Sequence, residues 1–306
     1  MDRSEDINFD KVKNFLNSYL AGIEKRDSFI EKEYALKNIL GNYYNLLDEQ
    51  PLDYLEQIRK IEENLEKKYG IEVSLQYNKV LVCKFILENY FNIDKHSFPA
   101  EVSTYLKEDF LRIFDFVKKD NRKYLTFKNY QFLSYVEELC FKRFPVGIQN
   151  IATSGFSRSL IFKQSFPKAI SLVKLMLALG GNSPYFVLHL NPHRLRLFNF
   201  EGWNNVFHLV ARMMITHPDI KGLLAGAWFY DPKVKQISPE LNYIRELIEN
   251  IGGEFFRVGS SEDDKADAFA FSRVRKVAYE EGRYVPTKYI TIIPRLTLLK
   301  YYNLIS

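Results

Sequence analysis

Apolar residues recur every three to four positions along the N-terminal half, the spacing of helices that bury one face. Between Leu52 and Lys68, for example, Leu55, Ile58 and Ile61 stand among charged residues. The same spacing predicts helices over Phe9–Leu20, Ser28–Leu47, Leu52–Tyr69, Tyr77–Phe91, Glu101–Lys119 and Thr126–Phe144. We therefore expect almost no β-strand in residues 1–144.

Aromatic residues are frequent in these predicted helices. They include Tyr43, Tyr44, Tyr90, Phe91, Phe110, Phe114, Phe116, Tyr130 and Phe132. At helical spacing such residues usually form the core, and the alternative is an aromatic cavity for an apolar ligand.

The pattern changes after Pro145-Val146-Gly147. Tyr185–Leu190 and Arg194–Phe198 alternate apolar and polar residues on either side of Asn191-Pro192, a pair that suits a turn. This alternation predicts a half-buried β-hairpin. Ile220–Tyr230 is apolar almost throughout, which is typical of a strand buried on both faces.

Helix signals alternate with these strands. Asn199 can cap a helix that ends before His217, and Ser238-Pro239 starts another, which Gly252-Gly253 ends. A further helix is predicted over Ser165–Leu179, and further strands over Glu254–Val258 and Lys288–Pro294. Ile148–Ser157 suits either a strand or a loop. The predicted fold class is α+β, with an all-helical region, residues 1–144, packed on a mixed β-sheet with flanking helices, residues 145–306.

Composition places the chain among globular proteins, with 46% hydrophobic and 26% charged residues. It has no apolar run of about 18 residues, so we expect no membrane span. Cys83 and Cys140 stand in apolar helical contexts, which predicts buried free thiols and a reducing, cytoplasmic location.

The net charge of +5 is concentrated in the C-terminal half. This asymmetry suggests that the C-terminal half binds an anion, although ordinary surface lysines would give the same count. The basic residues are scattered and form no nucleic-acid-binding motif, so nucleic acid is not an expected partner.

Familiar catalytic motifs are absent from the sequence. His189 and His193 would lie about 13 Å apart in one strand, too far to share a zinc ion, so no metal site is predicted. Neither Ser154 nor Ser260 stands in the nucleophile-elbow pattern. Residues 258–261 suit either an anion-binding nest or an ordinary turn.

The end of the apolar strand offers two groups for proton transfer. Tyr230 and Asp231 follow that strand directly, and open α/β sheets bind ligands beyond the carboxyl ends of their strands. Tyr can donate a proton and Asp can accept one, so both are candidate catalytic residues. The alternative is that Asp231-Pro232 only turns the chain.

Arginines supply the candidate anion ligands. Arg257 lies in a predicted strand, and Arg273 and Arg275 open a predicted helix. Guanidinium groups suit phosphate and carboxylate.

The order hairpin, helix, strand, helix, strand, later strand over about residues 185–295 resembles the second half of the GCN5-related N-acetyltransferase superfamily. In that family the loop into the first helix binds the pyrophosphate of CoA and reads Arg or Gln, two residues, Gly, one residue, then Gly or Ala. Here Arg196 and Asn199 occupy the start of that loop, and the glycine comes at Gly202. The resemblance implies that the next strand diverges to admit the acyl group.

The resemblance implies transfer of an acyl group from an acyl-CoA or acyl-carrier thioester to an amine or a similar nucleophile. The thioester would be a cosubstrate, with no permanently bound cofactor. Arg196, Asn199, Arg257, Arg273 and Arg275 would bind it, and the backbone amides of Ala225–Trp228 would hold its carbonyl. The alternative is a non-catalytic binding protein whose helical half engages a protein partner.

Overall fold

A computed structural model describes residues 9–24, 53–119, 122–270 and 272–306 of the chain. The chain divides into two units, residues 1–145 and 146–306. In the described residues no helix is both long enough and apolar enough to cross a membrane.

Helices are the regular elements of the described part of the first unit before Arg143, as the apolar spacing predicted. The described ones are α1 (Phe9–Glu24), α2 (Asp53–Tyr69), α3 (Ile71–Asn89), α4 (Ala100–Lys118) and α5 (Tyr130–Leu139). Helix α3 contacts the other four, and most of its length is buried. The first strand among the described residues begins only at Arg143. The helix predicted over Ser28–Leu47 lies outside the described residues.

Aromatic residues of this unit divide between core and surface. Phe110 and Phe132 are fully buried, whereas Phe91 and Tyr130 are exposed. Cys83 and Cys140 are buried free thiols, as expected. Tyr43 and Tyr44 lie outside the described residues.

A mixed sheet of six strands organises the second unit. Its strands are β1 (Arg143–Val146), β2 (Gln149–Ser154), β3 (Tyr185–Leu190), β4 (Gly222–Ala227), β5 (Glu254–Gly259) and β6 (Lys288–Pro294). They lie in the order β1-β2-β3-β4-β6-β5, and β1 crosses the boundary between the units. Strand β4 is interior and its first four residues are buried, so the apolar run correctly predicted an interior strand.

Helices flank both faces of the sheet. Helix α6 (Phe166–Ala178) packs with Leu224, Phe256 and Ile292 of the sheet. The second layer contains α7 (Phe200–Thr216), α9 (Asn242–Ile251) and α12 (Arg295–Tyr301). Ile248 of α9 lies at the face of β6 that carries Ile293. Because side chains alternate along a strand, Ile292 and Ile293 point to opposite faces, and the sheet is covered on both.

Three shorter helices complete this unit. They are α8 (Val234–Ile237), α10 (Glu262–Phe269) and α11 (Arg273–Glu280). Ser261 caps α10 in a reciprocal arrangement with Asp264, and Ser272 caps α11. Residues 258–261 are therefore the end of a strand and the start of a helix.

The predicted hairpin between Tyr185–Leu190 and Arg194–Phe198 is wrong in its second strand. Pro192–Leu197 forms a 3-10 helix, and the antiparallel partner of β3 is β2, in the register Ile151↔Leu188. Proline has no N–H to give to a ladder but suits the first turn of a helix. The alternation in this stretch therefore does not reflect a strand.

The segment after β4 also differs from expectation. The strand ends at Ala227, and Trp228–Tyr230 form a 3-10 turn. The residues between Asp231 and Ser238 contain helix α8. Ser238 stands at the N-cap of the 3-10 turn Pro239–Leu241 but makes no side-chain capping bond, and its hydroxyl accepts a hydrogen bond from Arg275 Nη1 at 3.0 Å.

Candidate functional site

Strands β3 and β4 are parallel neighbours that separate before they end. Their pairing runs only from Phe186↔Leu223 to Leu188↔Ala225, although β3 continues to Leu190 and β4 to Ala227. Each strand keeps its other neighbour to the end, in the pairs Leu190↔Gln149 and Ala227↔Tyr289. The sheet therefore opens between β3 and β4 at their carboxyl ends.

The opening leaves backbone groups without a strand partner. Successive residues of a strand direct their N–H and C=O to alternate neighbours. At Gly226 and Ala227, a backbone C=O or N–H on the β3 side therefore faces the part of β3 that is no longer paired. Gly226 is exposed, and its missing side chain keeps this edge accessible.

Asn191 holds the end of β3 on the side of β2. Its side-chain Nδ2 donates to Asn150 Oδ1 at 3.0 Å, and its backbone N–H donates to Ile148 O at 2.9 Å. Its Oδ1 accepts the N–H of His193 at 3.0 Å and starts the 3-10 turn. These buried bonds attach the end of β3 to β2, on the side of β3 that faces away from β4.

The chain then enters the long helix α7 beside the opening. Asn199 caps the helix as predicted, accepting the Gly202 N–H at 2.8 Å. The N-terminus of a helix carries partial positive charge and free amides, which favour an anion. Arg196 is exposed three residues before the cap, whereas Glu201 adds a negative charge in the first turn.

Three aromatic rings connect the two sides of the opening. Phe229, which follows β4, lies 6.0 Å from both Phe198 and Trp203, measured between ring centroids, and Phe198 and Trp203 are 5.9 Å apart. The indole Nε1 of Trp203 is buried without a hydrogen-bond partner. The loop before α7 is thus packed against the turn after β4.

Tyr230 is the last residue of this turn, and Asp231 follows it. Tyr230 is only 1% exposed and packs between Phe229 and Phe255. Burial raises the pKa of its phenol far above the ordinary value, which makes it a weaker acid. Proton transfer by Tyr230 and by Asp231 stays a prediction, and the raised pKa makes the Tyr230 phenol a poor proton donor near neutral pH.

Asp231 carries a buried carboxylate, and neighbouring groups partly compensate the cost of burying its charge. Burial raises the pKa of this carboxyl. Two effects oppose the rise: the backbone N–H of Lys233 donates to the carboxylate at 2.9 Å, and Lys233 and Arg245 carry positive charge nearby. A raised pKa strengthens a carboxylate as a base near neutral pH. Arg245 also stacks on Phe255 at 4.1 Å and donates to the Tyr230 carbonyl.

The raised pKa of Asp231 predicts a pH-dependent cost to folding. The folded protein binds this proton more tightly than the unfolded chain, whose Asp pKa is about 3.9. The difference in unfolding free energy between the wild type and Asp231→Asn should therefore fall as pH rises from that value through the folded pKa, and then level off. Urea titrations across this range, followed by tryptophan fluorescence, measure it.

Exposed Asp219 provides the control for this experiment. As pH rises, the unfolding free energy of the wild type relative to Asp231→Asn should fall more steeply than its unfolding free energy relative to Asp219→Asn. A rising difference would show that folding stabilises the charged form of Asp231.

The basic residues predicted to bind an anion occupy different environments. Arg257 and Arg273 are exposed, on β5 and at the start of α11. Arg275 is buried, donates through Nε to the Ala268 carbonyl, and stacks on Trp228 at 4.7 Å. Burial lowers its pKa. The guanidinium of Arg275 therefore holds α10 and α11 against the turn that follows β4.

Sequence reasoning missed three parts of this site. These are the Asn150–Asn191 pair, the Phe198–Trp203–Phe229 cluster and Arg245. A buried Asn pair depends on strands distant in the sequence, and no local pattern reveals it. The position of Asn191 directly after an apolar strand was the one available signal.

No protein-family model and no curated protein matches this chain. Among solved structures, an acyltransferase in complex with decanoyl-CoA is similar, with a TM-score of 0.44, 13% identity, and coverage of 87% of this chain and 76% of that chain. An acyltransferase in complex with decanoyl-CoA and teicoplanin is similar with a TM-score of 0.42, 13% identity, and coverage of 88% and 80%.

Proposed function

We propose that the protein transfers an acyl group from a CoA-type thioester to a nucleophile, with the opening between β3 and β4 as the donor site. The observation that carries this proposal is the separation of the two parallel strands after Leu188 and Ala225. It leaves a slot with backbone donors and acceptors on its edges. A pantetheine arm is extended and carries two amides, so it can bond to such edges as a further strand would.

The anionic end of the donor would lie at the start of α7. The free amides of the first turn, the Asn199 cap and exposed Arg196 together suit a pyrophosphate. Arg257 and Arg273 are exposed and are further proposed ligands. Arg275 would act by holding Trp228 in place.

The acyl chain would find apolar surface around the same opening. Leu190, Leu195 and Phe200 are exposed large apolar residues at the end of β3 and before α7. Phe198 and Phe229 are half-buried behind them. This surface supports an acyl thioester better than a free nucleotide. The resemblance to the GCN5-related N-acetyltransferases likewise implies that β4 diverges to admit the acyl group.

Proposed chemistry begins with attack of the nucleophile on the thioester carbonyl. Backbone amides of Gly226 to Trp228 would stabilise the tetrahedral oxyanion. Asp231 would accept the proton from the attacking amine. Collapse of the intermediate breaks the C–S bond, forms the amide, and releases a CoA thiolate that takes up a proton.

Calorimetric titration with octanoyl-CoA, acetyl-CoA and CoA tests the donor site. The wild type should bind octanoyl-CoA. Arg196→Ala should weaken binding about tenfold, because one charge-assisted contact to phosphate is worth roughly 1.5 kcal/mol. Arg158→Ala is the matched control, an exposed arginine away from the opening, and should bind as the wild type does.

Thiol release from octanoyl-CoA in the presence of a panel of amines tests the chemistry. Asp231→Asn should reduce turnover about a hundredfold with little change in donor affinity. If the Tyr230 phenol only packs in the core, Tyr230→Phe should keep the wild-type turnover. Absence of octanoyl-CoA binding would overturn the proposal. Binding without thiol release for any amine would favour the non-catalytic binding protein.

A further inference from the structure

Helix α6 carries apolar residues on two sides. One side, with Leu172, Leu175 and Met176, packs on the sheet. The other side carries Phe166, Ile170, Val173 and Leu177, which are exposed. An ordinary surface helix shows polar residues there, so this second side needs a partner.

The side chains at the two ends of this second side, and Phe162 before them, are almost fully exposed. Phe162, Phe166 and Leu177 are 89%, 79% and 77% exposed, the highest values for large apolar side chains among the described residues. Residues 166, 170, 173 and 177 follow the helical spacing of one face. Phe162, in the preceding 3-10 turn, adds a fifth exposed apolar side chain four residues before Phe166. We call these five residues the α6 ridge.

The charged residues of the segment that carries the α6 ridge are all basic. Residues 139–200 contain no Asp or Glu. Arg158, Lys163, Lys168 and Lys174 lie in the 3-10 turn and in α6, and all four are exposed. The nearby acidic group is Glu254, which contacts Lys168 at 3.9 Å. The ridge is therefore an apolar strip bordered by positive charge.

We propose that the α6 ridge binds peripherally to the surface of an anionic lipid bilayer. A helix with apolar residues on one side and basic residues at its margin lies in the membrane interface with its apolar face among the acyl chains. Lysines beside such a helix extend their ammonium groups to anionic head groups. The proposal is independent of the function of the opening between β3 and β4.

A second copy of the chain suits this surface less well. Two ridges packed together would bring Lys163 and Lys174 of each copy to one interface, and no acidic residue of that segment could neutralise them. The ridge also protrudes as a helix side rather than forming a groove. A fluid bilayer accommodates a protruding apolar helix without a complementary shape.

Flotation of the full-length protein with vesicles tests the proposal. One set contains phosphatidylcholine alone and the other contains phosphatidylcholine with phosphatidylserine. The wild type should float with the anionic vesicles, and added salt should weaken this binding. The triple variant Phe162→Ser, Phe166→Ser, Leu177→Ser should reduce the partition coefficient at least about tenfold, since three apolar side chains no longer leave water.

Matched variants separate the ridge from general surface effects. The triple variant Val274→Ser, Val285→Ser, Leu296→Ser removes exposed apolar residues elsewhere in the same unit and should bind as the wild type does. Lys163→Glu combined with Lys174→Glu should reduce binding to anionic vesicles only. Light scattering of each variant in solution reports its oligomeric state.

Three outcomes would overturn the proposal. The first is a wild-type protein that does not float with anionic vesicles, and the second is a ridge variant that floats equally well. The third is a dimer in solution that the ridge variant dissociates, which would assign the ridge to self-association.

Discussion

Replacing Gly202 with Ala is expected to lower the unfolding free energy of the C-terminal unit by about 3 kcal/mol. A Cβ at this position would lie 1.9 Å from the Leu197 carbonyl oxygen, which is backbone and cannot rotate away. Helix propensity alone predicts the opposite sign, because Ala is favoured over Gly by about 1 kcal/mol within a helix. Both tryptophans, Trp203 and Trp228, lie in this unit, so their fluorescence in urea reports its unfolding.

Glu201→Ala is the matched control, because it changes an exposed residue of the same helical turn. It should alter stability by less than about 1 kcal/mol. Gly202→Ala should also weaken octanoyl-CoA binding, since the loop from Leu197 to Asn199 must move. A Gly202→Ala variant more stable than the wild type would mean that the loop does not approach α7 so closely.

Glu62→Ala should destabilise the helical unit by about 4 kcal/mol. Glu62 is buried, and its carboxylate accepts hydrogen bonds from Asn78 Nδ2 at 2.8 Å, Thr126 Oγ1 at 2.7 Å and the Phe127 N–H at 3.1 Å. Alanine removes the acceptor and leaves these donors in the core. Urea unfolding followed by circular dichroism measures the loss of helix.

Two substitutions control for this effect. Glu62→Gln keeps one acceptor oxygen and should lose about half as much stability. Glu63→Ala changes an exposed neighbour and should remain within about 0.5 kcal/mol of the wild type. Equal losses for Glu62→Ala and Glu63→Ala would mean that the buried bonds do not stabilise the unit.

The sequence predicts most of the regular elements because each has a local signal. The apolar run from Ile220, the cap at Asn199 and the Gly252 stop all correspond to features of the structure. Strand β6 has the predicted bounds, Lys288–Pro294. These signals depend on spacing, capping and glycine conformation within a few residues of each other.

Local signals of this kind could not predict which strands pair with each other in the sheet. The residues after Asn191 alternate like a strand, yet β3 pairs with β2, which lies more than thirty residues earlier in the chain. The same distant pairing determines where β3 leaves β4. The sequence also did not reveal which polar residues are buried. Tyr230, at a predicted strand end, and Arg275, in a predicted helix, both lie inside the protein.

A crystal structure of the protein with octanoyl-CoA tests the central claim most directly. We expect the pantetheine arm between the carboxyl ends of β3 and β4, with the thioester carbonyl within hydrogen-bond distance of a backbone amide between Gly226 and Trp228. The pyrophosphate should lie at the start of α7 near Arg196. A complex with the CoA bound elsewhere, and with β3 and β4 enclosing nothing, would contradict the account.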